Sequence, residues 1–259
     1  KQRGMKMTAN KIYLRDIRLI NKNPSENYWC RLPFYRELNS GKAISFNTPV
    51  TFFVGENGSG KSTLLEGIAV ACGFNPEGGT RNFSFSTRDT HSALGDYLTV
   101  SRSAYPRDGF FLRAESFYNT ASYLEDAYQA ELHLGTGTPY GMRSLHAQSH
   151  GESFLALVQN RFGGEGVYLL DEPEAALSPA RQLTLLGQIH QLVGEDSQFL
   201  IATHSPILMA YPGAYLYLLS EGGIQRVDYR ETEHYLLTKR FLEDPERMLR
   251  YLFSEDDTI

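Results

Sequence analysis

The chain has 259 residues, 41% hydrophobic and 21% charged, with a formal net charge of −5 and only two cysteines, Cys30 and Cys72. Those proportions are ordinary for a folded domain and exclude a disordered or collagen-like chain, while the size suits one large α/β domain carrying insertions. The acidic total supplies no general field for nucleic acid, the cysteines are too few to staple the fold, and no run approaches the roughly 18 apolar residues of a membrane span. With no apolar signal-peptide core in residues 1–10 either, the expected setting is a reducing cytoplasm without direct membrane insertion.

In chain order, KIYLRDIRLI from Lys11 to Ile20 alternates and reads as a first strand, followed by a polar turn. Tyr28 to Leu38 carries no clear period. VTFFV, Val50 to Val54, is a short continuous apolar run of the kind found in buried parallel strands, and it leads into a glycine-rich loop. Ser62 to Ala71 reads as a helix stopped by Gly73. Residues 75–108 are rich in Gly, Ser, Thr, Asn and Arg, with Phe83 and Phe85, and suggest a hairpin-bearing insertion. A strand is expected from Phe110 to Ala114, a helix over Ser122 to His133 and a loop at residues 135–141. A helix over Ser153 to Phe162, a strand in VYLLDEP, an amphipathic helix over Pro179 to Val193 and a strand in QFLIATHSP complete an alternating α/β order, which favours a largely parallel sheet.

Two patterns carry chemistry. Gly55-Glu56-Asn57-Gly58-Ser59-Gly60-Lys61-Ser62 matches GxxxxGK[ST] and lies between a predicted buried strand and a helix start. Glycines let backbone N–H groups curl around phosphates, Lys61 reaches the β and γ oxygens, and the Ser62 hydroxyl ligates Mg²⁺. A merely structural turn would need neither Lys61 nor Ser62. In VYLLDE, Asp171 ends an apolar strand and Glu172 follows it. Asp171 suits Mg²⁺ held through water, and Glu172 suits a general base that aligns the attacking water. Two acids at a helix start would otherwise be a charge-favoured cap, and the upstream loop argues against that simpler reading.

In chain order, the phosphate-type loop, Gln148-Ser149-His150-Gly151-Glu152, Asp171-Glu172 and Ala202-Thr203-His204-Ser205 together resemble the ABC ATPase family. GENGSGKST, QSHGES, LLDEPEAALSP and ATHSP are similar to the small stand-alone bacterial members related to SMC and coiled-coil DNA-repair ATPase heads, over about Lys11 to Tyr217. The resemblance implies a P-loop NTPase fold of the ABC ATPase type, α/β with a mostly parallel core sheet, an antiparallel β insertion and a helical lobe. It implies one domain over residues 11–259, with the insertion at about 75–110 and the helical and signature lobe at about 116–160. Nucleotide-binding candidates are Gly55, Asn57, Gly58, Ser59, Gly60, Lys61, Ser62 and Thr63, together with Ser149 and the Gly151 backbone reaching across from a second copy. Lys61, Glu172 and His204 are the catalytic candidates, His204 matching the family's switch histidine. Ser62, Asp171 through water, and Glu115 at the position expected of a Q-loop are the metal candidates. His150 and Glu152 depart from the family signature, and the D-loop segment Ala176-Leu177-Ser178-Pro179 lacks the aspartate common in transporters.

The implied activity is ATP hydrolysis with Mg²⁺ in an ATP-dependent homodimer that drives or licenses an unidentified protein partner. Two other readings stand beside it: an ATP-dependent regulatory module with little hydrolysis, and the ATPase component of a DNA-repair or defence complex. Arg81, Arg88 and Arg113 suit either phosphate or adenine contacts or solvated faces, and Tyr13 and Phe34 suit either adenine stacking or the core.

Overall fold

The computed structural model describes residues 11–20, 27–80, 93–128, 138 and 144–253. Its centre is a six-stranded sheet ordered β5 (Asp108–Arg113), β6 (Gly166–Asp171), β7 (Gln198–Ala202), β3 (Val50–Val54), β8 (Tyr215–Ser220) and β9 (Gly223–Val227). The strands pair in parallel from β5 through β8, and only the β8–β9 hairpin is antiparallel. Every residue of β3, β6 and β7 is buried, which is why these strands read as continuous apolar runs rather than alternating ones.

The strand pleat divides the interior into two cores. Phe52, Leu170 and Ile201 face one side, where they pack with residues of α3 (Phe117–Ala127), α4 (His150–Arg161) and α5 (Pro179–Gly194). Phe53, Leu169 and Leu200 face the other, against α2 (Lys61–Ala71) and the small sheet β2 (Ile44–Ser45), β1 (Leu14–Leu19) and β4 (Leu98–Arg102). That sheet is antiparallel throughout. Buried Gln198 ties it to the core sheet: its Oε1 accepts from the N–H groups of Tyr13 and Leu14 at 2.9 and 2.8 Å, and its Nε2 donates to the Leu14 carbonyl at 2.9 Å.

The mostly parallel core, antiparallel sheet and covering helices agree with the expected α/β class. Details differ where pairing is long-range. β4 pairs with β1 near the start of the chain instead of with a strand of its own segment, and residues 81–92 of that segment lie outside the described residues. α3 begins at Phe117 rather than Ser122, and the loop read at 135–141 falls almost wholly outside the described residues. Tyr28–Arg31 forms a 3-10 turn that leads into α1 (Pro33–Asn39), with proline in the first turn where its missing N–H costs nothing. Beyond β7 come α6 (Pro206–Met209), the β8–β9 hairpin, and the C-terminal pair α7 (Glu233–Glu243) and α8 (Pro245–Phe253). Among the described residues no helix is long and apolar enough to cross a membrane.

Candidate nucleotide-binding site

Register brings the predicted motifs to one edge of the sheet. Arg113 pairs with Asp171, Asp171 with Ala202, and Ala202 with Phe53, so one row of residues crosses the C-terminal ends of β5, β6, β7 and β3. The phosphate-type loop, Glu172 and His204 all emerge just beyond that row. In parallel sheets this is the edge at which ligands bind.

The loop needs glycine for two reasons. Gly55 has φ +143°, and a Cβ there would run into the Leu219 carbonyl oxygen. Gly60 has φ +92°, and a Cβ would come within 3.0 Å of the Leu32 and Phe34 side chains as the chain turns into α2. Glu56, Asn57 and Gly58 form the exposed crest, Ser59, Gly60, Ser62 and Thr63 are partly buried, and Lys61 is only 3% exposed. Lys61 Nζ donates to the carbonyls of Gly55 at 3.0 Å and Glu56 at 2.9 Å, folded back over its own loop. Burial pulls the ammonium below its usual range, while Glu172, Asp171 and Glu174 oppose that shift, which puts all three acids within electrostatic reach of Lys61.

Asp171 is 5% exposed. Burial pushes its carboxyl up to about 6, against the favourable influence of Arg113 and of the Ser62 hydroxyl, and Glu172 and Glu66 add to the rise. Its Oδ1 has no hydrogen-bond partner in the protein, and neither has the buried Ser59 hydroxyl. An orphaned carboxylate oxygen beside a hydroxyl is the donor set a hard divalent cation takes, so the residues fit Mg²⁺. Among the described residues no cluster of three or more His, Cys, Asp or Glu could hold a metal by itself. The remaining ligands would be phosphate oxygens and water.

Glu172 adopts the left-handed conformation, φ 48° and ψ 50°, pinned by its N–H donating to the Ala202 carbonyl at 2.9 Å. For a residue with a Cβ this costs about 1 kcal/mol or more. The bend carries its carboxylate to 3.5 Å from His204 Nε2, with Glu172 still 42% exposed. His204 is fixed from two sides. Its backbone N–H donates to Glu174 Oε1 at 2.5 Å, and its Nδ1 lies 3.2 Å from Nε2 of His234 on α7. Burial, and then Lys61, lower the basicity of His204, with Glu172 opposing. Glu174 and His234 are site neighbours that sequence reasoning missed. Glu174 stood within the quoted LLDEPE run, but nothing local marks His234.

The signature residues sit at the start of α4. Glu152 accepts from the N–H of Ser149 at 3.0 Å and from its hydroxyl at 2.7 Å, and Arg181 reaches both Ser149 Oγ at 3.2 Å and Glu152 at 3.1 Å. Glu152, three residues into the helix, closes a capping box that a glutamine could also close, but only a carboxylate pairs there with the Arg181 guanidinium. Gly151 is buried beneath Arg181 and the Ala176 carbonyl.

Glu115 is not where the resemblance put it, and the open readings of Arg113, Tyr13 and Phe34 are decided by their surroundings. Glu115 is 88% exposed and lies 3.6 Å from Arg113 Nη2, so the structure does not gather it with Ser62 and Asp171; the neighbouring guanidinium holds it instead. Arg113 is neither solvated nor free for phosphate, because it is paired with Glu66, Asp171 and Glu115. Tyr13 and Phe34 are fully buried core residues and not adenine platforms. Arg81 and Arg88 lie outside the described residues.

The family model described as "AAA domain" matches residues 33–117, spanning the phosphate-type loop, and one described as "AAA domain, putative AbiEii toxin, Type IV TA system" matches residues 151–210, spanning Asp171, Glu172 and His204. Both halves of the site thus fall within segments that match AAA-domain models, and the chain is a P-loop ATPase. This ATPase is 27% identical over 222 residues to an uncharacterized ABC transporter ATP-binding protein of Haemophilus influenzae, covering 77% of the chain and 81% of that relative. Among solved structures, the ATPase is similar to CbiO1 from Clostridium perfringens, part of the ABC transporter complex CbiONQ, with a TM-score of 0.49, 18% identity, and coverage of 93% of the chain and 99% of the other. It is also similar to the SMC head domain from Thermotoga maritima, with a TM-score of 0.45, 17% identity, and coverage of 84% and 100% respectively.

Proposed function

We propose that residues 11–259 work as one ATPase domain that binds ATP with Mg²⁺ at residues 55–63 and hydrolyses it when two copies close around two nucleotides. The observation that carries this reading is the set of buried polar atoms without protein partners at one sheet edge: Ser59 Oγ, Asp171 Oδ1 and His204 Nε2. Such groups are costly unless a ligand satisfies them.

Bound Mg²⁺, held by Ser62 directly and Asp171 through water, would neutralise charge on the phosphate oxygens. Lys61, now satisfied by two loop carbonyls, exchanges them for phosphate oxygens, which accept more strongly from an ammonium. Glu172, exposed toward the opening, accepts a proton from water and aligns it with the γ-phosphorus, and His204 donates from Nε2 to the γ-phosphate. Ser149 and the N–H of Gly151, at a helix N-terminus, serve the nucleotide of the second copy. Each cycle then joins and separates two copies, a motion that a partner protein in the cytoplasm converts into work or a signal.

Light scattering with and without Mg-ATP, on wild type and Glu172→Gln, with phosphate release followed on the same samples, tests the scheme. The expected result is a dimer that forms only with ATP, persists in Glu172→Gln, and there releases phosphate at least about 100-fold more slowly. Both proteins staying monomeric without turnover, although they bind ATP, would sink the autonomous reading.

A further inference from the structure

We propose that His234 is a positioning residue that locks His204 in the tautomer presenting an Nε2–H to the reacting phosphate. This rests on His204 acting at the γ-phosphate as described above.

His204 Nε2 faces the Glu172 carboxylate at 3.5 Å and is buried without a hydrogen-bond partner. An ionised carboxylate only accepts, and so does a phosphate oxygen, so Nε2 is useful there only when it carries the proton. A neutral imidazole protonated at Nε2 has a bare lone pair at Nδ1. That atom meets His234 Nε2 at 3.2 Å, with the rings tilted at 55°, and two bare nitrogens would repel. His234 therefore donates through its own Nε2–H, and the two rings form a directed relay: His234 to His204, and His204 toward the site.

The fold fixes the donor as firmly as the acceptor. His234 is the second residue of α7, whose N-cap Thr232 is 1% exposed. Thr232 Oγ1 accepts from the Tyr235 N–H at 3.3 Å and donates to the Tyr229 carbonyl at 2.7 Å. A capped first turn holds its side chains in place, and its positive end disfavours a second charge on His234. Burial and Lys61 act on both imidazoles in the same direction, toward the neutral form, which the directed pair requires.

Kinetics and nitrogen NMR together test this on the full chain. His234→Phe keeps a ring but removes the donor and should lower kcat about 10- to 100-fold with KM for ATP within about twofold, the size typical of losing a residue that orients a functional histidine. His234→Gln, which restores an N–H donor, should recover most of the loss. In a His204→Ala background, His234→Phe should add nothing. In the wild type, the His204 ring, assigned through His204→Gln, should show a protonated Nε2 and a bare Nδ1. Gln as impaired as Phe, additive losses in the double variant, or the opposite His204 tautomer would each overturn the proposal. If His204→Ala keeps full turnover, the underlying catalytic reading fails instead, and the NMR tautomer still decides whether His234 sets the proton.

Discussion

Arg113 Nε lies 3.3 Å from Asp171 Oδ2 on the neighbouring strand, while its Nη1 lies 2.7 Å from Glu66 Oε2 on α2. All three side chains are largely buried, so one guanidinium balances two carboxylates that water barely reaches. Removing a single partner from such a group leaves uncompensated charge, the costly way to break a buried ion pair.

Arg113→Met, which keeps most of the volume, is therefore expected to lower stability by about 3 kcal/mol in urea unfolding at pH 7. It should also raise the Asp171 pKa further, because Arg113 is the first of the influences holding that carboxyl down. A variant as stable as wild type would mean that Glu66 and Asp171 are satisfied by water.

Gln198 offers a test away from the chemistry. It is fully buried and makes three hydrogen bonds to the backbone of residues 13 and 14. Gln198→Leu keeps the bulk but strands two N–H groups and a carbonyl, for which a loss of about 2–4 kcal/mol is expected. Hydrogen exchange should localise the damage, with faster exchange in β1 and β4 than in β3. Uniform acceleration would contradict Gln198 as the tie between the sheets.

What could be read from the sequence follows the range of the interactions. VTFFV, VYLLD and QFLIA were legible as buried strands because helices or a second sheet cover both faces of the parallel core, and α2 was legible because its residues and the glycines before it act locally. The phosphate-type loop and the Asp171-Glu172 pair were legible for the same reason: their chemistry needs fixed residue types at fixed spacing. The partner of β4 was not, because β1 lies far away in sequence and alternation says nothing about which strand pairs with which. Arg113 suited a phosphate contact and a solvated face alike until its carboxylate neighbours on two other elements were in view, and His234 is brought to His204 only by the path of the chain after β9.

Gly151 can be tested by crowding. A Cβ at this position would meet Arg181 Nη1 at 2.6 Å and the Ala176 carbonyl oxygen at 2.8 Å. The arginine end can swing away, but the carbonyl belongs to the 3-10 turn Pro173–Ala176 directly after Glu172. Gly151→Ala should cost about 1–3 kcal/mol and shift that turn. Turnover should fall while ATP still binds, as measured by a fluorescent nucleotide. The double variant Gly151→Ala/Arg181→Ala separates the two contacts: it should stay impaired, and full recovery would show that only the flexible arginine was in the way.

At the opposite end of β5, Asp108 anchors a cluster whose contribution to stability depends on pH. Asp108 accepts from Arg161 Nη1 at 2.9 and 3.0 Å, from the Gly163 N–H at 3.1 Å and from the Tyr168 hydroxyl at 2.8 Å. Burial pushes its carboxyl upward, but the hydrogen bonds from Tyr168, Arg161 and Gly163 outweigh it, and the net shift is below the ordinary 3.8. A carboxyl whose folded value is depressed stabilises the fold above its unfolded value and loses that contribution as pH falls through the folded value. Asp108→Asn keeps the shape without the charge and should be less stable than wild type by about 1–3 kcal/mol at pH 7. The gap should stay constant down to about pH 5 and narrow below about pH 4, where Asp108 of the unfolded wild-type chain begins to take up its proton while the folded carboxyl still resists it. Urea midpoints for both proteins at pH 7, 5 and 3 measure it. A gap that widens toward low pH would reverse the sign and show that burial, not the hydrogen bonds, governs this carboxylate.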